Sequence, residues 1–438
     1  MPSTVRRPAL ALVLSACTLM ATAALATPVG NAQQAGTQAA PCENRLSPPP
    51  PVDTSEQVPD GTKPPSPLPV PETPVGGDRM AECGEVLPSG AKPLPSDLTA
   101  ASWLIADPDA GTVLAGADPH GRQRPASVMK VLLATVVVKE LPLDTTVVAT
   151  QEDIDQECSC VGLRNGGEYT VEQLMQALLM SSGNDVAHAL ARRLGGVPSA
   201  IRKMNALAAE LGALDTRAIT PSGLDAPGTS TSAYDVALIF RAAMKYPEFA
   251  KAINTPQIDF PSKTGRGTVQ VINDNKLLGS YEGALGGRTG FTDDALNTYV
   301  GAAERDGKRL VVVLLRGKQE PVSITEQAAK LLDYGFALQG EPVGKLVDGA
   351  PQVKKKPTEA KPTEAAAPSG VQNKPGPKHL ANKTPMEAAF GNVGLPVTGV
   401  ALLGILLGLL MYVKSLRAKK ARARRAAEQE AKLAQLGL

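Results

Sequence analysis

The chain has very little histidine and no marked excess of either charge. Only three of its 438 residues are histidine, His120, His188 and His379, and none lies near a pair of cysteines. This argues against a zinc site. The histidines also have no Gly-x-Ser-x-Gly partner, which argues against a Ser-His-Asp hydrolase. Because the net charge is only +2, we expect no nucleic-acid surface, and the sequence predicts neither a metal nor a cofactor.

Proline and glycine are concentrated near the two ends of the chain. The length could hold about two or three domains, but this distribution predicts one central domain, over residues 97–342. Between Pro48 and Pro74 there are 11 prolines in 27 residues and almost no large apolar side chains. The sequence therefore predicts an extended polyproline-like spacer within a proline-rich extension over residues 27–96.

The first 26 residues have the pattern of an export signal peptide. Two arginines precede an apolar stretch, and Ala-Leu-Ala at 24–26 fits the cleavage site, so the mature chain would begin near Thr27. Residues 14–17 also fit a lipobox ending in Cys17, which makes lipoprotein processing the second interpretation. It ranks lower because the apolar run continues past Cys17.

Four cysteines remain after removal of the signal, an even number for a compartment that permits disulfides. Three pairings are possible, and we favour Cys42 with Cys83 and Cys158 with Cys160. The first bridge would tie the N-terminal extension to the edge of the domain. A Cys-Ser-Cys bridge would be strained, so two free thiols at 158 and 160 are the alternative.

The C-terminal region has three parts. Residues 343–392 are rich in Lys, Pro and Ala and predict a disordered linker. Residues 393–413 carry no charge and precede a basic tail over 414–438, which predicts a membrane helix, a cytoplasmic tail and an extracellular catalytic domain. Residues 395–399, Leu-Pro-Val-Thr-Gly, also match a sortase sorting signal, so linkage to the cell wall is the second interpretation.

The central domain alternates between strand-like and helix-like stretches. Strands are predicted at both of its ends and helices in the middle, with Thr170 and Ser232 as helix caps. This order predicts an α/β fold in which one antiparallel sheet, assembled from both ends of the domain, is flanked by helices. The predicted strands are 102–106, 112–117, 298–303 and 309–315, and the predicted helices are 127–141, 171–180, 185–194, 199–211, 232–244 and 324–338.

Three short motifs carry the chemistry. Ser127 begins an apolar helix and Lys130 lies on the same face, so the amine can reach the hydroxyl. Ser182 and Asn184 lie two residues apart at the junction of two predicted helices. Arg288, in Gly-Gly-Arg-Thr-Gly-Phe-Thr, places a cation and a hydroxyl just before a predicted hairpin, a combination that suits a substrate carboxylate.

Together and in this order, the three motifs resemble those of the penicillin-recognising serine enzymes. The resemblance covers about residues 100–340. Phrases such as Asp-Ala-Gly-Thr-Val-Leu at 109–114 and Leu-Leu-Asp-Tyr-Gly-Phe at 331–336 are similar to those of the low-molecular-mass D-alanyl-D-alanine carboxypeptidases, of actinobacterial type. The resemblance implies a DD-peptidase fold with a helical subdomain, and a site in the cleft between the subdomain and the sheet. The family's further C-terminal β-domain would be absent.

The resemblance implies a role for each catalytic residue. Ser127 would be acylated, with Lys130 as its general base at a pKa lowered by burial and neighbouring positive charge. Ser182 would relay a proton to the leaving D-alanine. The substrates would be peptidoglycan stem peptides, and β-lactam antibiotics would be covalent inhibitors.

The resemblance also implies the substrate-binding residues. Asn184 would hold the substrate amide, and Arg288 and Thr289 would bind the terminal carboxylate. Gly290 lets a ligand approach the strand. The backbone N–H of Phe291 would complete an oxyanion hole with that of Ser127.

The chain departs from the family pattern at Arg288, where lysine is usual. Arginine keeps the charge but does not release its proton, so only electrostatic roles would survive. A literal Lys-Thr-Gly begins at Lys263, but we favour Arg288 because no paired strands are predicted directly after Lys263. The family often has a further arginine after the hairpin; Ile324 aligns there, and Arg316 is the nearest candidate.

Two other functions are weighed. A class A β-lactamase needs a glutamate on a loop after Asn184, and no glutamate occurs between Glu210 and Glu248. A catalytically impaired penicillin-binding or peptidoglycan-binding protein of the same fold would have Arg288 as its lesion. The intact serine and lysine motifs favour an active carboxypeptidase.

Overall fold

A seven-stranded antiparallel sheet forms the centre of the part of the chain that the computed structural model describes, residues 42–58 and 61–349. Strands from both ends of this part meet in the sheet, as the sequence predicts. In spatial order they are β1 (Glu85–Val86), β3 (Thr112–Ala117), β2 (Ser102–Asp107), β10 (Lys308–Gly317), β9 (Leu296–Arg305) and β8 (Ala284–Thr292), and β11 (Gly344–Lys345) also pairs with β3.

Two small antiparallel pairs and eight α-helices complete the described residues. The pairs are β4 (Thr146–Val148) with β5 (Glu168–Thr170), and β6 (Gln257–Pro261) with β7 (Thr268–Ile272). The helices are α1 (Met129–Glu140), α2 (Gln151–Ile154), α3 (Val171–Ser181), α4 (Asn184–Arg193), α5 (Val197–Leu211), α6 (Ala233–Ala243), α7 (Pro247–Asn254) and α8 (Ile324–Ala337).

Both faces of the sheet are covered by helices. In β10, Leu310, Val312 and Leu314 pack against α8, while Val311 and Val313 belong to the larger core shared with the other helices. Successive side chains of a strand point to opposite faces. Strand β10 therefore requires an uninterrupted apolar run. The predicted α/β fold with its helical subdomain is confirmed.

Helix α1 lies at the centre of the helical side of the molecule. Every residue from Met129 to Val137 is buried, and α3, α4, α5, α6 and α7 all contact the helix. A helix surrounded by other helices needs apolar side chains on all its faces. The one buried lysine in this stretch, Lys130, therefore requires a specific set of partners.

Several predicted elements differ from those observed. The predicted helix from Ser127 begins instead with a 3₁₀ turn over Ala126–Val128, and α1 follows it. The β6–β7 hairpin and α7 were not predicted. Thr170 and Ser232 do cap α3 and α6, since each side-chain oxygen accepts a backbone N–H three residues on.

The catalytic unit ends later than predicted. Val343 and Leu346 are buried, and Gly344 and Lys345 pair with β3. The linker therefore does not begin at 343, because these residues complete the edge of the sheet. The predicted linker beyond 349, the membrane helix over 393–413, the basic tail and the export signal lie outside the described residues, and none of the described helices is long and apolar enough to cross a membrane.

The proline-rich segment is not a free spacer. Residues 42–58 and 61–77, here called the N-terminal strap, lie against the catalytic domain, and a Cys42–Cys83 disulfide closes one end. A Cys158–Cys160 disulfide is also present, so the favoured pairing is confirmed and the alternative of two free thiols is wrong. The prediction of a free spacer was wrong because the arginines that hold the strap lie far along the chain, and no local pattern in the proline-rich segment indicates them.

Candidate active site

Ser127 lies in the 3₁₀ turn at the start of α1, where three chain segments meet. The preceding Ala126 has a left-handed backbone, with φ of 47°, a conformation that costs energy in a residue with a side chain. A Cβ on Gly290 would lie 2.7 Å from the Ser127 nitrogen, and one on Gly223 would lie 1.9 Å from the Ala126 oxygen. Both glycines are therefore required for β8 and the 220–225 loop to approach the nucleophile.

Lys130 contacts three oxygen atoms from three parts of the chain. Its Nζ lies 2.9 Å from Ser127 Oγ, 2.7 Å from Asn184 Oδ1 and 2.9 Å from the Ser222 carbonyl oxygen. A neutral amine has two N–H donors and one lone pair. The amide and carbonyl oxygens can only accept, so they take the two N–H groups. The lone pair then faces the hydroxyl of Ser127.

The pKa of Lys130 is held well below its usual value of 10.5. Burial is the largest cause, because the side chain has 0% exposure and loses the hydration that stabilises its charged form. The positive charge of Arg288 lowers this pKa further, while Asp274 and Asp185 raise it. The amine is therefore suited to accept a proton.

The second motif is held by the loop that carries the Cys158–Cys160 disulfide. Ser182 caps the C-terminus of α3 in a left-handed conformation, with φ of 65°. It is buried and lines the cleft described below. The backbone N–H of Asn184 donates to the Ser159 carbonyl at 2.6 Å, and its Nδ2 donates to the Glu157 carbonyl at 2.6 Å. Its second Nδ2 hydrogen is left for a ligand.

Arg288 is buried in β8 and already paired. Its Nη1 donates to the Leu179 carbonyl at 2.9 Å, and its Nη2 lies 2.9 Å from Asp274 Oδ2. Its Nε, buried as well, has no hydrogen-bond partner among the described residues. The charge of the Arg288 guanidinium is therefore partly compensated by Asp274. Together its two terminal nitrogens contact the carbonyl and the carboxylate, an arrangement that the single ammonium of a lysine would not reproduce.

Most of these residues line a cleft of about 830 Å³, whereas the fully buried Lys130 is not part of its lining. It contains Ser127, Ser182, Asn184 and all four predicted positions of β8. Its lining also includes Lys276 and several carboxylates that motif analysis missed, since no local pattern marks them. The predicted positions in β8 are Arg288, Thr289, Gly290 and Phe291, and the carboxylates are Asp53, Glu157, Asp225, Asp274 and Asp293.

The Lys-Thr-Gly at 263 does not line this cleft. It lies in the turn between β6 and β7, so these two strands flank Lys263 and no strand pair follows it directly. Arg316 is also outside the cleft lining and donates to the Asp294 carbonyl at 2.8 Å. Ile324 does line the cleft, so that position supplies no cation for a carboxylate.

One buried group of possible metal ligands occurs among the described residues, His120, Asp215 and Asp235. The Asp215 carboxylate already accepts from His120 Nδ1 at 2.7 Å and from Arg122 Nε at 3.0 Å. The other ring nitrogen of His120 donates to the Val75 carbonyl at 3.0 Å. His120, Asp215 and Arg122 thus form an internal ion-pair network that supports the strap.

Comparison with known proteins identifies the family of the chain. Residues 89–319 match the family model described as D-alanyl-D-alanine carboxypeptidase, Peptidase S11. The chain belongs to this family. It is 48% identical over 258 residues to D-alanyl-D-alanine carboxypeptidase DacB2 of Mycobacterium tuberculosis, covering 58% of this chain and 88% of that protein.

Solved structures of related enzymes share the fold. A D-alanyl-D-alanine carboxypeptidase of Mycobacterium tuberculosis H37Rv is 47% identical, with a TM-score of 0.57, and the match covers 60% of this chain and 100% of that one. The Streptomyces K15 DD-transpeptidase is 31% identical, with a TM-score of 0.53, and the match covers 56% of this chain and 100% of that one.

Proposed function

We propose that this serine D-alanyl-D-alanine carboxypeptidase removes the terminal D-alanine of peptidoglycan stem peptides through an acyl-enzyme on Ser127. The family supports the reaction class. The observation that carries the mechanism is the 2.9 Å distance between Ser127 Oγ and the Nζ of a fully buried Lys130 whose other two contacts are acceptors.

In acylation, neutral Lys130 takes the proton of the Ser127 hydroxyl as Oγ attacks the carbonyl carbon of the penultimate D-alanine. The backbone N–H groups of Ser127 and Phe291 stabilise the oxyanion, each contributing about 2.7–4 kcal/mol. The C–N bond then breaks. The departing amine receives, through the hydroxyl of Ser182 in the cleft lining, the proton that Lys130 took from Ser127.

In deacylation, water attacks the ester carbon while Lys130, neutral again once the proton has left with D-alanine, takes a proton from the water. The ester C–O bond breaks and Ser127 recovers its hydrogen. Asn184 holds the amide of the acyl chain through its free Nδ2 hydrogen throughout.

The carboxylate of the substrate binds near Arg288 and Thr289. Because the Arg288 guanidinium is paired with Asp274, the exposed Lys276 supplies additional positive charge at this end of the cleft. Burial is the main cause of the lowered pKa of Lys130, and the charge of Arg288 lowers this pKa further, a role that needs no proton transfer by the arginine. β-Lactam antibiotics acylate the same serine.

We further propose that the protein is exported and anchored in the membrane with its catalytic domain outside. The signal-like residues 1–26, the uncharged stretch 393–413 and two disulfides in the described residues support this localisation. Cell fractionation and N-terminal sequencing test it. We expect a membrane-bound chain that begins at Thr27; a chain released from membranes and linked to the wall would support the sortase interpretation instead.

The central test is D-alanine release from diacetyl-lysyl-D-alanyl-D-alanine by the purified full chain. We expect Ser127→Ala to abolish release and Arg288→Lys to change it modestly, since the charge is kept. Ser199→Ala in α5, outside the cleft lining, is the control. No release by the unchanged protein, with activity appearing only in Arg288→Lys, would identify a binding protein instead of an enzyme.

A further inference from the structure

Two buried arginines just before the nucleophile hold the N-terminal strap. Proline has no N–H, so a proline-rich segment is held mainly through its carbonyls and through the backbone N–H groups and side chains of its few other residues. Arg122 donates hydrogen bonds to backbone carbonyls of the strap. Arg124 forms an ion pair with Glu56, with its Nε 2.5 Å from Oε1 and its Nη2 2.8 Å from Oε2. The carbonyls that Arg122 holds, at 2.7–3.0 Å, belong to Leu46, Leu68 and Pro69.

A second anchor lies in the turn between β8 and β9. The buried carboxylate of Asp294 accepts the backbone N–H of Val52 and, at 2.9 Å, the hydroxyl of Ser55. Asp53 lies between these two anchored residues, and its carboxylate accepts the Ser55 N–H at 2.8 Å. The strap therefore holds Asp53 in one place, and Asp53 and Ser55 line the cleft.

The direction of the bound peptide follows from the proposed function. Its terminal carboxylate lies at Arg288 and Thr289, and its scissile carbonyl lies at the N–H of Phe291. Strand residues advance about 3.3 Å each. Followed from its C-terminus back toward its N-terminus, the peptide therefore extends along β8 toward higher residue numbers. The residue before the D-Ala–D-Ala pair then lies beyond Phe291, at the end of the cleft where the strap is anchored through Asp294.

The charges that line the cleft differ between these ends. At the carboxylate end, Arg288 is paired with Asp274, and Lys276, two residues after Asp274, is a further cation of the lining. The strap end has Asp53, Asp225 and Asp293, and no cationic side chain lines it among the described residues. The bond from the Ser55 N–H lowers the pKa of Asp53, which keeps its exposed carboxylate charged. A substrate with an anionic terminus and an upstream cation would match this polarity.

We propose that Asp53 is a specificity-determining residue that binds the free side-chain amino group of the residue before the D-Ala–D-Ala pair. The proposal rests on the proposed function, because that function sets the direction of the peptide. The strap is thus a wall of the substrate cleft, and it favours stem peptides whose third residue carries an unblocked amine.

The test compares two peptides on the purified full chain. Nα-acetyl-lysyl-D-alanyl-D-alanine has a free ε-amine, whereas the diacetyl peptide has none. We expect kcat/KM to be about two- to fivefold higher for the free amine, the range for an exposed ion pair. Raising the salt concentration should reduce this preference. Asp53→Asn should remove this preference, so that the variant hydrolyses the two peptides with similar kcat/KM.

Glu72→Gln is the matched control, because Glu72 is an exposed carboxylate of the same strap that does not line the cleft. It should keep the preference. Equal rates for both peptides with the unchanged protein, or a preference that survives Asp53→Asn, would overturn the role of Asp53 alone. No release from either peptide would contradict the proposed carboxypeptidase function instead.

Discussion

The two sides of the cleft are built in opposite ways. The catalytic side places Ser127, Lys130 and Asn184 on turns and helices of the core, and buried partners fix each one. The strap side, residues 42–58 and 61–77, has no helix or strand and is held by side chains that reach its carbonyls and the Glu56 carboxylate. Catalysis needs fixed distances between reacting atoms. Recognition of a charge at the rim tolerates a less regular wall.

Each side also has its own disulfide. Cys42–Cys83 fixes the start of the strap to a residue 41 positions away, whereas Cys158–Cys160 spans two positions in the loop whose carbonyls hold Asn184. The first bridge restrains a long segment of the unfolded chain. The second restrains almost none, so its value lies in the local geometry of the site.

The largest expected effect concerns the catalytic side. Lys130→Gln should lower kcat/KM for D-alanine release by about 10²–10⁴-fold, because the general base is lost while a polar group remains in place. Lys139→Gln is the control, since Lys139 lies on the same helix but makes an exposed ion pair with Glu210. A loss of similar size in both variants would mean that α1 responds as a whole and that the buried amine has no special role.

An intermediate effect separates the two disulfides. Replacing Cys42 and Cys83 by serine should lower the free energy of unfolding by about 4 kcal/mol, the loop-closure entropy for this separation. Replacing Cys158 and Cys160 should cost much less stability but should lower the acylation rate by a labelled penicillin. Urea denaturation and acylation kinetics of both double variants measure this. If the two pairs gave the same pattern, the contrast between the two sides would be lost.

The smallest expected effect is a shift in pH dependence. Activity should rise with pH as Lys130 loses its proton. Arg288→Gln removes a cation that lowers the pKa of Lys130, so the acid limb should move to higher pH; Asp274→Asn removes an anion that raises it, so the limb should move to lower pH. Arg288→Lys keeps the charge and should leave the limb in place. The pH profile of kcat/KM tests all three, and shifts in one common direction would contradict this account.

The sequence was sufficient for much of the fold. Strand and helix periodicity placed the sheet and the helical subdomain, because both faces of β10 are buried and require an apolar run. It was less informative where pairing depends on distant segments. Lys263 illustrates this. It begins an exact Lys-Thr-Gly sequence, but the β6–β7 hairpin holds it outside the lining of the cleft. Arg288 lines the cleft instead because of the pairing of β8 with β9.

By itself the sequence determined the three motifs and their order, and it placed the nucleophile and its base within one helical turn of each other. Only the tertiary structure decided that the Ser222 carbonyl completes the environment of Lys130, that Arg288 is paired with Asp274, and that a proline-rich strap borders the cleft. These contacts join residues far apart in the chain. Folding brings them together through burial and hydrogen bonding, which leave no local pattern in the sequence.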